Sequence, residues 1–402
     1  MNRYPAYKHT GVNIISEIPS QWELNKFNHI AFYQEGPGLR NWQFTEMGVS
    51  VICVTNITTH GIDFSLLKRC ISEEEYYRSY LHFTVQKGDF LLASSGASWG
   101  KLAEYNGDEK VILNTSTIRL NTKNNSVVNR DFIKWIIKSP YVTEQLNVLL
   151  TGSCQPNFGP THLNQLLVVY PSSLIEQTAI ATYLDQKTTQ IDKLISNKQK
   201  LIDLLKEERT GIINEAVCGK GKNWGKKKLK YVAKLKSGEG ITAEDITPDG
   251  NYPVYGGNGL RGYTTKFTHE GNYVLIGRQG ALCGNINFAF DKFFASEHAI
   301  VVTILDGSNF YWLGELLRSM NLNQYSQASA QPGLSVEKIQ NLLISVPSNV
   351  IQKNIVQFLK IETQRIDNTI AKIEKEIELM QEYRTALISE VVIGKIDVRN
   401  YN

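Results

Sequence analysis

Cysteine is scarce in this chain, and its arrangement excludes two kinds of site. The five cysteines are odd in number, widely separated and never spaced as C-x-x-C: Cys53, Cys70, Cys154, Cys218 and Cys283. Neither a disulfide framework nor a zinc site is therefore expected. The seven histidines are dispersed and form no pair at metal-binding spacing, so we expect no other metal site.

Long apolar runs are missing too. No stretch of about 18 apolar residues occurs, and the first residues, MNRYPAYKHTGVNIISEIPSQW, contain no basic segment followed by an apolar one. With 402 residues, 42% of them hydrophobic, the composition is that of a folded chain with more than one domain. These features predict a soluble cytoplasmic protein that does not contact a membrane.

Signatures of enzyme active sites are also absent. Gly257–Gly262 has the G-x-G-x-x-G spacing of dinucleotide-binding loops, but a poor helix start follows it and no acid lies about 20 residues on. Gly96–Lys101 is one residue short of a phosphate-binding loop, and no motif of the kind that amino-methyltransferases use on a flipped base is present. We therefore expect no catalytic residues and no cofactor bound by this chain.

Charge is nearly balanced overall but not locally. The formal net charge of +4 permits a nucleic-acid partner without requiring one. Residues 220–236 carry eight lysines and no acid, among them Lys226, Lys227 and Lys228. Such a run is either a solvated linker or a surface that follows DNA phosphates, and the sequence leaves both interpretations open.

What the chain does contain is an internal repeat. Residues 177–220 align without a gap to residues 352–395, with 18 identities over 44 positions. Trp22 and Trp224 match at a different shift, so the leading part of each copy varies in length and the trailing part does not. Both copies must adopt one structure. We place a first module at 1–153, a first helical region at 154–220, a second module at 221–330 and a second helical region at 331–402.

Each trailing part is predicted to form one long amphipathic helix. Apolar residues recur at three- and four-residue spacing along Glu176–Val217, and again 175 residues later. Pro171 and Pro347 precede the helices, and Gly219 and Gly394 are suited to end them. The two apolar stripes are expected to pack on one another through Ile191, Ile195, Leu201, Ile202, Leu205, Ile366, Ile370, Ile373, Ile377 and Met380.

Each leading part is predicted to be an α+β module. The predicted elements are strands at Val49–Val54, Asp89–Ala93, Tyr273–Gly277 and Ala299–Thr303, and helices near Asp131–Leu150 and Phe310–Met320. In both modules a strand runs into a turn punctuated by glycines at matching positions. The two modules should therefore share one fold.

Polar and planar side chains cluster around those turns. They are Ser94, Ser95, Trp99 and Lys101 in the first module, and Arg278, Gln279 and Asn285 in the second. Arginine, glutamine, asparagine and serine read base edges or hold phosphates in DNA complexes, which makes these residues candidates for DNA contact. A surface loop of any protein often has the same composition, and that alternative stays open.

The order of module, helix, module and helix resembles the specificity subunit of Type I restriction-modification systems. The residues that carry the resemblance are Thr151–Pro156, Leu166–Pro171 and Ile175–Ile180 with their second-copy counterparts, and Glu35–Trp42 and Tyr255–Tyr263, which resemble openings of target recognition domains. One departure is Val350–Lys353, where the first copy has the more typical Ile-Glu-Gln. The resemblance adds Arg40, Asn41, Asn258, Arg261 and Tyr263 to the candidate DNA-binding residues.

This resemblance implies a fold and a division of labour. The fold is α+β, with two target recognition domains alternating with two long helices that pair as an antiparallel coiled coil in a pseudo-twofold repeat. Each domain would read one half of a bipartite target in double-stranded DNA, and the helices would fix the unread spacer. Two methyltransferase subunits, which bind S-adenosylmethionine, would dock on the chain, and restriction subunits would join them in some systems. The chain itself would be non-catalytic.

Two other classes of function stay open. A coiled-coil scaffold without nucleic-acid binding leaves the glycine-rich loops and the lysine run unexplained, and an assembly without DNA affinity would favour it. A self-contained modification enzyme needs a cofactor site, and binding of S-adenosylmethionine to the isolated chain would favour it. The DNA target, and the choice between Type I and related bipartite systems, do not follow from one sequence.

Overall fold

The structure is a computed structural model that describes residues 2–59, 61–66, 68–150, 157–280, 282–326 and 333–401. The chain forms two compact units, one comprising Met1–Ser196 with Glu376–Asn402 and the other Asn197–Lys375. The predicted boundaries at 153/154 and 330/331 lie outside the described residues, as do Gln155, Pro156, Gln331 and Pro332 of the sequence motifs. Those boundaries therefore stay predictions.

The first unit is built from short strands and short helices that lead into a long helix. Its strands are β1 (Tyr7–Val12), β2 (Ile15–Pro19), β3 (Trp22–Lys26), β4 (Ala31–Glu35), β5 (Val49–Ile52), β6 (Ile57–Thr58), β7 (Gly61–Ile62), β8 (Cys70–Ile71), β9 (Phe90–Ala93), β10 (Leu102–Glu104), β11 (Val111–Leu113), β12 (Thr117–Thr122) and β13 (Leu167–Pro171). Its helices are α1 (Phe27–Ile30), α2 (Glu73–Glu75), α3 (Arg130–Lys138), α4 (Pro140–Leu149), α5 (Pro160–Leu163) and the start of the long helix α6 (Leu174–Val217).

Two sheets organise the first module. One has the order β10-β9-β12-β4 with antiparallel pairs, and the other has the order β11-β5-β8 with β11 parallel to β5. The predicted strands at Val49–Val54 and Asp89–Ala93 are confirmed as β5 and β9. The single helix predicted near Asp131–Leu150 is two helices, because Pro140 holds Ser139 in an extended conformation and starts α4.

The second unit repeats this design with fewer residues. Its strands are β14 (Gly225–Lys228), β15 (Ala233–Ser237), β16 (Tyr252–Gly256), β17 (Gly259–Thr264), β18 (His269–Glu270), β19 (Tyr273–Gly277), β20 (Ile286–Ala289), β21 (Lys292–Ala295), β22 (Ala299–Ile304) and β23 (Leu343–Val346). Its helices are α7 (Phe310–Ser319), α8 (Val336–Gln340), the end of α6 and the start of the long helix α9 (Asn349–Val392).

The sheets of the second module repeat those of the first, with one additional strand, β18, paired with β21. The order β20-β19-β22-β15 is the order β10-β9-β12-β4 again, and β16 runs parallel to β21 as β5 does to β11. Strands β19 and β22 and helix α7 lie where the sequence predicted them. Both modules are therefore α+β and share one topology, as the repeat required.

A buried glutamine at the start of each long helix joins that helix to its module. Gln177 accepts a hydrogen bond from the Asn129 backbone N–H at 2.6 Å and donates to the Pro171 carbonyl at 2.7 Å. Gln352 does the same with Asn309 at 2.7 Å and Pro347 at 3.0 Å. Asn129 and Asn309 are the N-cap residues of α3 and α7, so both glutamines hold equivalent helix starts.

The two long helices pack together as an antiparallel pair, and the ion pairs between them repeat. Asp192 pairs with Arg384 at 2.9 Å, and Asp367 pairs with Arg209 at 3.0 Å. Each aspartate lies 175 residues from the other and so does each arginine, so exchanging the two copies leaves the pattern unchanged. This exchange is the signature of twofold symmetry, and it confirms the predicted antiparallel coiled coil with its pseudo-twofold repeat.

The seam between these helices follows the predicted stripe with one exception. Ile191, Ile202, Leu205, Ile366 and Ile373 are buried, and Ile195, Ile370, Ile377 and Met380 are partly buried. Leu201 is 44% exposed, because Ile202 beside it occupies the seam and adjacent helix positions point in different directions. Both helices end in glycines with positive φ, +64° at Gly219 and +75° at Gly394, which confirms the predicted caps. Among the described residues, no helix combines the length and the apolarity needed to cross a membrane.

Candidate nucleic-acid interface

Three loops of the second module meet at one edge of its sheets. They are residues 257–258 after β16, residues 278–280 and 282–285 between β19 and β20, and residues 296–298 between β21 and β22. The Arg278 N–H donates to the His298 carbonyl at 2.8 Å, and the Ser296 N–H donates to the Tyr255 carbonyl at 2.9 Å. A Cβ at Gly277 would lie 2.0 Å from the Gly257 carbonyl oxygen, so the close approach of two loops requires glycine there.

These loops enclose a concave pocket of about 470 Å³, which we call the loop pocket. It is lined by Gly257, Asn258, Gly259, Leu260, Arg261, Gln279, Gly280, Leu282 and His298. Three residues predicted from distant parts of the sequence, Asn258, Arg261 and Gln279, are thus brought together around one concavity. The loop pocket is therefore the strongest candidate contact surface of this module.

The remaining predicted residues of the second module lie apart from the loop pocket. Arg278 is partly exposed, and its backbone is held by His298 on one side and by the Leu334 N–H at 2.9 Å on the other. Tyr263 lies in β17, where its N–H and carbonyl both bond Thr247 at 2.8 Å. Neither side chain lines the pocket.

Three consecutive lysines of the run lie on a separate two-stranded sheet. Strand β14 pairs with β23, and all three of its lysines, Lys226, Lys227 and Lys228, are exposed. Lys227 lies 3.5 Å from the Asp306 carboxylate, which is the ion pair this strand makes within the described part of the chain. Their exposure leaves both interpretations of the run, solvated surface or phosphate contact, compatible with the fold.

The glycine-punctuated turn of the first module has the same backbone as its counterpart. Ser94 bonds Ser116 and Phe158 through its backbone, as Arg278 bonds His298 and Leu334. Gly96 and Gly100 have positive φ, as do Gly280 and Gly284. This repetition confirms the predicted common turn, and it means that the two modules present different side chains from one backbone frame.

Those side chains are not equally accessible in the first module. Ser94 is fully buried, and Trp99 is partly buried with its ring edge-to-face on Phe158 at 5.7 Å. Ser95 is partly exposed, and the Lys101 ammonium lies 3.4 Å from the Ser98 hydroxyl at the surface of the turn. Ser94 and Trp99 therefore support the turn from inside, and Ser95 and Lys101 are the members placed to reach a ligand.

Arg40 and Asn41 protrude on a rigid turn. A 3₁₀ turn at Asn41–Gln43 follows β4, and Gln43 is buried, accepting from the Arg40 N–H at 2.8 Å and donating to the Tyr80 hydroxyl at 2.9 Å. Arg40 and Asn41 are both exposed, and Trp42 beside them is 80% exposed. This turn presents a cation, an amide and a large aromatic ring together.

Two residues near the candidate sites were not among the sequence candidates. Trp42 closed a quoted motif, and its position directly after Arg40 and Asn41 was the available signal. His298 had no sequence signal of this kind. The parallel pairing of β16 with β21 brings the loop that carries His298 to the loop pocket. Burial raises the pKa of the Cys283 thiol in the adjacent loop, which therefore stays protonated and donates to Asn323 at 3.1 Å.

The part of the chain that the structure describes contains no group of three or more His, Cys, Asp or Glu side chains placed to hold a metal ion. The polar groups of the loop pocket are amides, a guanidinium and an imidazole, which suit hydrogen bonding to a ligand. These groups are therefore suited to recognising a ligand by hydrogen bonding.

Two modules of one fold with different loops, carried on a pair of antiparallel helices, form an internal repeat of the kind expected for a DNA specificity protein. Comparison with known families agrees. The family described as "Type I restriction modification DNA specificity domain" matches residues 19–204 and 221–379. The chain belongs to this family.

Curated relatives match parts of the chain. The specificity subunit of the Type I restriction enzyme EcoprrI from Escherichia coli is 38% identical over 185 residues, which is 45% of this chain and 44% of that relative. The MjaVIII specificity subunit from Methanocaldococcus jannaschii is 26% identical over 210 residues, 51% of this chain and 48% of that protein. Each match spans less than half of the relative's length.

Solved structures match nearly the whole chain. One, from work on complex assembly and conformational transition of the type I R-M system, aligns with a TM-score of 0.77 at 14% identity, covering 94% of this chain and 99% of that one. The HsdS subunit from Thermoanaerobacter tengcongensis aligns with a TM-score of 0.60 at 14% identity, covering 96% of this chain and 100% of that one. At these identities the likeness establishes the fold, and it confirms the predicted fold class.

Proposed function

We propose that this chain is the DNA-reading subunit of a Type I restriction-modification complex and recognises a bipartite target in double-stranded DNA. One observation carries the proposal. The two modules share a backbone frame down to the hydrogen bonds of one turn, yet they present different side chains from it, Ser95 and Lys101 in one and Arg278 and Gln279 in the other. In this proposal, two modules with the same backbone and different loop side chains recognise two different half-sites.

The paired helices supply the second half of the proposal. Each helix has 44 residues and is roughly 65 Å long at about 1.5 Å per residue. One turn of B-DNA measures only about 34–36 Å, so a helix pair of this length is suited to separate two half-sites. In this proposal the helices act as a ruler that sets the number of unread base pairs between the half-sites.

Catalysis belongs to the partners in this proposal. Two methyltransferase subunits bind S-adenosylmethionine and methylate adenine, and restriction subunits join them where the system has them. The chain contributes no catalytic group and no cofactor site of its own, and it acts in the cytoplasm, where the DNA is. The loop pocket, with its hydrogen-bonding groups, supports a recognition role for this chain.

The decisive experiment maps DNA methylation at single-base resolution in cells that express this chain together with a methyltransferase subunit. A split motif with methylated adenines that depends on the chain is the expected result, and it would also give the target. An assembled complex that methylates no specific motif would contradict the proposal and favour a scaffold without DNA reading.

The ruler is tested separately by inserting four residues, roughly one helical turn, into both long helices at matched positions. The insertion adds about 6 Å to the pair, the length of about two base pairs. The methylated motif should keep both half-sites and gain spacer. Altered half-sites would refute the ruler, and a methylated motif with an unchanged spacer would refute it too.

A further inference from the structure

Hydrogen bonds inside the loop pocket fix which polar groups it presents. Asn285 donates its side-chain N–H to the Asn258 Oδ1 at 2.8 Å, so the Asn258 carbonyl is engaged and its NH₂ group points away. The His298 Nδ1 lies 3.1 Å from the Gln279 Oε1, and the Gln279 carbonyl accepts from this nitrogen when it carries a proton. With Nδ1 protonated, both amides of the pocket are left with their donor ends outward.

One oxygen of the Glu297 carboxylate contacts the same imidazole. Glu297 places its Oε1 3.1 Å from the His298 Nε2, and its Oε2 is buried without a hydrogen-bond partner among the described residues. The imidazole of His298 is thus bridged between two oxygens, and in the protonated form it donates to both of them. Glu297 holds the imidazole in place, and the imidazole in turn holds the Gln279 amide.

Arg261 adds a cation to the rim. Among the described residues its guanidinium has no hydrogen-bond or ion-pair partner, and the side chain is exposed. Its Cδ crosses directly over Gly256, where an added Cβ would lie 2.3 Å away, so the backbone of β16 guides the side chain. Arginine has five N–H donors and no acceptor.

The side chains on the rim therefore present hydrogen-bond donors: the Arg261 guanidinium, the Gln279 NH₂ and the Asn258 NH₂. In the major groove guanine presents two acceptors, N7 and O6, whereas adenine presents an acceptor and a donor, and cytosine presents a donor. A glutamine whose carbonyl is occupied cannot form the usual paired contact with adenine, which needs both ends of the amide.

We propose that the loop pocket is a guanine-reading site, in which Arg261 donates to N7 and O6 of one guanine in the half-site of the second module. His298 with a proton on Nδ1 is a positioning residue that turns the Gln279 amide so that it donates and rejects adenine. This inference rests on the proposed function and goes beyond it by assigning one base and the residues that read it.

The test uses the assembled complex with its methyltransferase subunits and the target given by methylation mapping. Each guanine of both half-sites is replaced in turn by 7-deazaguanine, which lacks the N7 acceptor and pairs normally. One guanine should weaken binding by about 5- to 10-fold when replaced. Arg261→Ala should weaken binding to the unmodified duplex and abolish the effect of the replacement at that guanine. Arg40→Ala, in the other module, should leave the effect intact.

A second variant tests the positioning role of His298. His298→Ala frees the Gln279 carbonyl to accept from the adenine N6 group, so the preference for guanine over adenine at that position should narrow by about 10-fold. A residue that only supported the fold would weaken binding to both duplexes equally, which would refute the positioning role.

The outcomes separate this inference from the proposal beneath it. If no guanine is sensitive to the replacement, or if the sensitivity persists in Arg261→Ala, the loop pocket does not read guanine. If the assembled complex shows no sequence preference at all, the proposed function itself is wrong. Binding that is specific but indifferent to both variants would overturn the inference and leave the proposed function standing.

Discussion

The glutamine at the start of each long helix offers a direct test of how helix and module are joined. Gln352 is fully buried, and it accepts from the Asn309 N–H and donates to the Pro347 carbonyl. Gln352→Met keeps the length of the side chain and removes both hydrogen-bonding groups, leaving a buried N–H and a buried carbonyl without partners. Each orphaned group costs about 1–3 kcal/mol, so the free energy of unfolding should fall by about 2–4 kcal/mol.

For a unit of this size, 1 kcal/mol corresponds to a shift in Tm of about 2–4 °C, so scanning calorimetry should show a transition lowered by roughly 5–15 °C. Gln177→Met should produce a loss of similar size, because Gln177 likewise accepts from an N-cap N–H and donates to the carbonyl of the preceding proline. Gln357→Met is the matched control, since Gln357 is exposed on the same helix and its replacement should cost less than about 0.5 kcal/mol. If Gln352→Met matched this control, the two glutamines would not be the joint, and the reasoning would fail.

Further predictions concern the exposed lysines, the partly buried His269 and the exposed Trp42. Replacing all of Lys226–Lys228 by alanine should reduce the slope of log affinity for DNA against log salt concentration by about 2–3, because each phosphate contact contributes about 0.9. The lower value applies if Lys227 stays paired with Asp306 and does not contact a phosphate. An unchanged slope would show that the run is a solvated surface. Burial lowers the pKa of His269 below its ordinary 6.5, so its contribution to stability is present above that pH and is lost as the pH falls through the lowered folded-state value. His269→Phe, which retains stacking on Phe293, should therefore lose less Tm between pH 7 and pH 5 than the natural chain does. Trp42→Ala should weaken DNA binding by about 5- to 100-fold if the ring stacks on a base, without lowering Tm, and equal affinity would exclude the contact.

The helices were predictable because their signal is local and written twice. The predicted span of the first helix, from Glu176 to Val217, differs from the observed Leu174–Val217 only at its start, and Gly219 ends it as expected. A stripe with 3.6-residue spacing, a proline before it and a glycine after it all lie within one segment of chain. What the stripe did not resolve was the choice between Leu201 and Ile202, since a two-helix seam buries only one of two adjacent positions.

The loop pocket was only partly predictable, because its residues meet through pairing of strands that are distant in sequence. Asn258 and Gln279 were recognised from glycine-rich turns, but their convergence depends on the parallel alignment of β16 with β21. The burial of Ser94 was invisible for a related reason. Its counterpart Arg278 has the same backbone bonds and a partly exposed side chain, so the turn pattern alone does not decide which way position 94 faces.

The second copy has Ile351 where the first has Glu176, and the contact that Glu176 makes with Trp22 explains the difference. Glu176 is buried and accepts the indole N–H of Trp22 at 2.8 Å, and Trp22 is fully buried as well. A buried indole needs such an acceptor. The matching tryptophan of the second copy, Trp224, is only partly buried. Its indole N–H therefore does not require a buried acceptor, and an apolar residue, Ile351, can occupy the helix position that matches Glu176.

The positions at which the two copies agree and differ follow from what each position touches. Identical residues occur where one copy meets the other or its own module, as in the ion pairs of Asp192 and Asp367 and the buried contacts of Gln177 and Gln352. These contacts impose the same geometry on both copies, so a change in one would break a symmetric frame. The exposed side chains of the loop pocket, such as Gln279 and Arg261, make no such contact with the repeated frame, so the frame does not require the two modules to match there. Under the proposed function, this arrangement keeps the helical frame constant while each module is free to recognise a different half-site.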